Sequence, residues 1–64
     1  MVIKYDKEQD VIYIQLSEGK VAESDEDKPG IILDYDEAGN IVGIEVLNAS
    51  QKINQPNGIV YEVA

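Results

Sequence analysis

Apolar residues along this chain come in short runs that repeat every second position, and polar or glycine-containing turns separate the runs. A period of two puts alternate side chains on opposite faces of a pleated strand, so the pattern predicts β-structure. The run VIKY at 2–5 is closed by the charged turn DKEQD. In VIYIQL at 11–16, Ile12, Ile14 and Leu16 share one face. SEGK at 17–20 reads as a turn, and VAES at 21–24 as a short extended piece. The stretch ESDEDKPG is the most acidic and least apolar of the chain, and it reads as an exposed loop ending at Pro29-Gly30.

The best-defined unit is IILDYDEAGNIVGIEVL at 31–47. Two β-rich runs flank EAGN, whose Gly39 and Asn40 suit the positive-φ positions of a hairpin turn. Matching faces fixes a register: Tyr35 with Val42, Leu33 with Ile44 and Ile31 with Val46, so that apolar residues always meet. A slip of one residue would set Leu33 against Gly43 and Ile31 against Glu45. The chosen register leaves Asp34, Asp36, Gly43 and Glu45 on the other, wetter face.

NASQKI at 48–53 suits a single helical turn, with Asn48 as N-cap and Lys52 at the negative end. NQPNG then supplies a turn through Asn57-Gly58, and IVYEV at 59–63 reads as a last strand. The expected fold is mainly β, bordering on α+β. It is an antiparallel meander of about five short strands, with one helical turn after the fourth, in one small domain spanning 1–64. The expected core is Ile12, Ile14, Leu16, Ile31, Leu33, Val42, Ile44 and Val46.

Composition narrows the chemistry. The chain has 64 residues, 13 Asp plus Glu against 5 Lys, and no Arg, His, Cys, Trp or Phe. Without Cys or His there is no ordinary zinc site, thiolate nucleophile or disulfide framework. A net charge of −8 repels phosphate backbones and anionic lipid, which argues against direct nucleic-acid or membrane binding. No run approaches the length of a membrane span and the N-terminus lacks a signal-peptide core, so a cytoplasmic location is expected. At this size a core is thin, and a second subunit is the most available source of further burial. A homodimer is therefore expected.

The segments KYDKEQDVIYIQLSEG and PGIILDYDEAGNIVGIEVLNAS resemble the small bacterial and archaeal proteins grouped as domain-of-unknown-function family 2283. The resemblance covers about 3–53. It is carried by Tyr5-Asp6 with Asp10 and Tyr13, by the Asp34–Gly39 turn, and by Val42-Gly43-Ile44-Glu45. It implies a small, mostly β, cytoplasmic protein without an established activity, and suggests an antitoxin-like partner of a small ribonuclease-like toxin. The strand at about 59–63 lies outside the shared pattern.

Asp34-x-Asp36-x-Ala38-Gly39, followed by Glu45, aligns with several liganding positions of an EF-hand loop. Ala38 offers no oxygen where a ligand is needed, and Pro29-Gly30 stands where the incoming helix should run. The alternative that survives is a loose Ca²⁺, Mg²⁺ or small-ligand site on the hairpin's acidic face, from Asp34, Asp36 and Glu45; otherwise these are hydrated carboxylates on a sheet face. Glu23, Asp25, Glu26 and Asp27 form either a hydrated loop or a docking element for a basic protein. Tyr13, with the other tyrosines, is either core rim or part of an interface belt. No serine has a histidine to activate it, and no resident cofactor is implied. The leading functional reading is a non-enzymatic protein-interaction domain.

Overall fold

The computed structural model describes residues 1–54 and 58–64. Five strands form one antiparallel sheet: β1 (Val2–Asp6), β2 (Val11–Gln15), β3 (Glu23–Lys28), β4 (Ile31–Tyr35) and β5 (Ile41–Leu47). One helical turn, α1 (Ala49–Lys52), follows β5. Across the sheet the order is β1-β2-β5-β4-β3, so the two hairpins β1-β2 and β4-β5 sit side by side and β3 closes the far edge.

Cross-strand registry sorts the side chains into faces. Ile3, Ile14, Ile44 and Leu33 line up as one row across β1, β2, β5 and β4. Tyr5, Ile12, Val46 and Ile31 make a second row on the same face. The opposite face carries Tyr13 and Gln15 from β2, Gly43 and Glu45 from β5, Asp34 from β4 and Ser24 from β3. The 31–47 register is the one expected for Leu33 with Ile44, Ile31 with Val46 and Asp34 with Gly43. It departs at the turn, where an irregularity after Asp34 pairs Tyr35 with Ile41 instead of Val42. A bulge of this kind places an extra residue on one strand. Val42 is buried as expected, at 3% exposure.

Three further expectations are corrected. The acidic 23–28 segment is a strand, not a loop, and α1 consequently follows the fifth strand instead of the fourth. Edge strands tolerate charge because their outer side faces water, and β4 supplies the ladder that low β-propensity would not nucleate alone. Residues 59–63 lie outside any strand, and Ile59, Val60, Tyr61 and Val63 are 63–83% exposed. The Asn57-Gly58 turn falls partly outside the described residues.

The core is thinner than the apolar pattern suggested. Ile12, Val42 and Ala49 are its buried apolar members, while Ile14, Ile31, Leu33, Ile44 and Val46 are only half-buried. Leu16 lies beyond the end of β2 and is 41% exposed. No second sheet covers the apolar face among the described residues, and a four-residue helix is only about 6 Å long.

Candidate functional site

Asp34 is the most deeply buried polar side chain described, at 2% exposure. Its position on the face expected to be wet makes this a correction, and the cause lies in three neighbouring strands. Ser24 of β3 pairs with Asp34 in the ladder and donates its hydroxyl to Oδ1 at 2.6 Å. Gly43 of β5 pairs with Asp34 on the other side and, lacking a side chain, leaves space above itself. Tyr13 of β2 fills that space. A β-carbon on Gly43 would stand 2.9 Å from the Tyr13 hydroxyl and 3.0 Å from Asp34 Oδ2.

Glu45 completes the group. It pairs with Tyr13 on one side and with Ile32 on the other, diagonal to Asp34. Burial raises the Glu45 carboxyl above the usual glutamate value, and a hydrogen bond and like charge from Asp34 raise it further. Glu45 therefore holds its proton to higher pH than an ordinary glutamate does. A carboxyl that keeps its proton can donate it or add a hydrogen bond between strands. The hollows of about 440 Å³ and about 470 Å³ lie elsewhere. The first is lined by Ala22, Glu23, Asp25, Tyr35, Asp36, Glu37 and Gly39, the second by the 19–22 and 36–38 segments.

Asp36, the third acid of the suggested cation set, is occupied otherwise. Its carboxylate accepts from the backbone N–H of Ala38 at 3.0 Å and of Asn40 at 2.8 Å, and from Asn40 Nδ2 at 3.1 Å. These bonds, the Asn40 backbone first, hold its carboxyl below the usual range. They shape the turn in which Gly39 adopts φ +86°. Asp34 and Glu45 therefore come together without Asp36, and no group of three or more acids among the described residues is arranged to hold a metal ion.

The proposed docking residues also divide. Glu23, Asp25, Glu26 and Asp27 lie together on the exposed edge strand β3. Of these, Glu26 is engaged, accepting the Gly30 N–H at 2.8 Å. Tyr13 belongs to the buried-acid group, with β5 and β4 between its strand and β3.

A second constellation escaped the sequence reading. Asp10, at φ +55°, accepts the Tyr5 hydroxyl at 2.7 Å, the Ser50 N–H at 3.0 Å and the Ser50 hydroxyl at 2.6 Å. Its backbone carbonyl accepts the Ala49 N–H at 2.9 Å. Asp10 thus caps α1 from forty residues away, a role assigned from sequence to Asn48. Asn48 instead turns the chain at φ +52° and makes no side-chain cap bond. The Ser50 and Tyr5 hydroxyls hold the Asp10 carboxyl below the usual range. The signal available in the sequence was Asp10 itself, among the residues carrying the family likeness.

Residues 2–50 match the model of a family described as a protein of unknown function, DUF2283. The chain belongs to this family. It is also 42% identical over 52 residues to an uncharacterized protein of Methanocaldococcus jannaschii. That match covers 81% of this chain but 44% of the archaeal protein, so the chain spans less than half of that relative's length. No solved structure matches. All three family-like motifs take part in these constellations: Asp34 and Val42–Glu45 build the buried-acid group, and Tyr5 with Asp10 anchors the helical turn. No described helix is long and apolar enough to cross a membrane.

Proposed function

We propose that this DUF2283 chain is a non-enzymatic protein-interaction domain that completes its core with a second protein layer. The observation that carries the reading is the uncovered sheet face: of its two rows of apolar residues only Ile12 is buried, and Ile3 is exposed. Stable domains stack at least two layers so that a sheet's apolar face is covered. The surface area agrees. The protein exposes 5057 Å², whereas a compact fold of 7.1 kDa is expected to expose about 4,100 Å². The exposed 58–64 segment and the sheet face both contribute to this excess. A second copy is the first partner to test. Light scattering coupled to size-exclusion chromatography should give twice the chain mass, and Leu33→Asp at the centre of the face should lower it to one. A single-chain mass at every concentration up to millimolar would sink the homodimer.

A second reading rests on β3. Its carboxylates at Glu23, Asp25 and Asp27 face solvent along an open strand edge, a suitable track for a basic protein such as a ribonuclease-like toxin. Co-expression with the product of the adjacent gene tests it. A complex that persists at low salt and dissociates at high salt supports the reading, and separate elution at low salt rejects it.

A further inference from the structure

The two edges of the sheet differ in chemistry. At β3 stand Glu23, Asp25, Glu26 and Asp27 against one lysine, and the pairing is irregular between Glu26 and Lys28. That combination repels another acidic strand and twists the ladder away from it. At β1, Lys4 and Asp6 balance, while Val2 and Ile3 are 46% and 39% exposed. Among the described residues no strand lies beyond the outer backbone groups of β1. It is the edge open to pairing.

The 58–64 segment has the complementary deficit. Ile59, Val60, Tyr61 and Val63 are residues that favour strands, and they are 63%, 83%, 76% and 82% exposed. Its only charged side chain is Glu62, which suits an edge bearing Lys4 better than one bearing four carboxylates. Ile59, Tyr61 and Val63 alternate, so in a strand they share one face. Placed beside β1, that face would prolong the rows that begin at Ile3 and Tyr5.

We infer that the 58–64 segment of one copy adds as a sixth strand to the β1 edge of a second copy, giving a reciprocal strand-exchanged dimer. The inference rests on the interaction-domain reading and names the element that carries it. Each copy gives one apolar strand and receives one, so the contact closes on itself under twofold symmetry. Main-chain hydrogen bonds supply the attachment, and alternate side chains supply the fit. The exchange also widens the apolar face, which the second copy is then positioned to cover.

The absence of cysteine makes a clean test. Full-length Ile3→Cys protein is mixed, under mild oxidation, with Ile59→Cys, Tyr61→Cys or Val63→Cys protein. At least one mixture should yield a mixed disulfide, identified by mass, and Asp25→Cys in place of Ile3→Cys should yield none. Linkage at Asp25→Cys equal to that at Ile3→Cys overturns the choice of edge. Closure only within single chains carrying both cysteines overturns the exchange. A two-copy mass in solution with no mixed disulfide removes the tail assignment while leaving the interaction reading intact. A single-copy mass removes both.

Discussion

Tyr13 and Gly43 occupy one shared volume: the tyrosine hydroxyl lies 2.9 Å from where a β-carbon on residue 43 would sit. The pairing puts an aromatic lid over Asp34 without any residue of β5 intervening. Gly43→Ala should therefore push Tyr13 outward and hydrate Asp34, destabilising the fold by about 1–3 kcal/mol. Adding Tyr13→Phe removes the colliding oxygen and should recover part of the loss. Urea unfolding of the two variants checks this; equal stabilities would show that the hydroxyl is not the obstacle.

Stability should peak in a narrow acidic window. Glu45 has a raised folded-state pKa, so its protonated form contributes stability below the ordinary glutamate value of 4.5. That contribution is lost as pH rises through the raised folded value. Asp10 and Asp36 have lowered values, so their contributions are present above the ordinary 3.8 and disappear as pH falls through the folded values. Thermal melts from pH 2 to 8 should show a falling limb above about 4.5, and Glu45→Gln should flatten it. A wild-type curve that only rises over this range would contradict a Glu45 carboxyl raised in the folded state.

Asp10→Asn weakens the acceptor that joins Tyr5, the β1-β2 turn and α1. Amide exchange should accelerate at Ala49, Ser50 and Ile53 while β4 and β5 stay protected, because the joint sits at one end of the sheet. Uniform loss of protection would instead mean that Asp10 holds the whole fold.

Ile12 is the one strand residue of the two apolar rows that reaches burial, at 7% exposure. Ile12→Ala should cost about 2–5 kcal/mol, as truncation of buried aliphatic side chains does. The same truncation at the exposed Leu16 should cost far less. Comparable denaturation midpoints for the two variants would mean that the core lies elsewhere.

The 31–47 hairpin was legible because parity alone decides it: any slip sets Leu33 and Ile31 against Gly43 and Glu45. Val42 is buried as that parity expects; only the partner of Tyr35 escaped it, since the irregularity that pairs Tyr35 with Ile41 leaves no trace in a count of alternate residues. The strand at 23–28 was hidden by its composition. Asp25 and Glu26 pair because Leu33 and Ile32 present an open ladder, a contact between segments that propensity does not contain. The suggested cation group was half visible. Asp34 and Glu45 meet through the register, whereas Asp36 is drawn into the turn by Asn40. The burial of Asp34 depends on Tyr13, a residue two strands away, and Asp10 depends on Ser50. Both are long-range partnerships that local pattern cannot encode.

The least strand-like sequence in the protein occupies the place where a good strand would be most hazardous. A half-apolar sheet with two neutral rims would template its own extension from either side, as fibril-forming segments do. With carboxylates along β3, growth from that rim meets repulsion at every addition. The 23–28 strand thus acts as a gatekeeper against edge-to-edge growth of a half-apolar sheet.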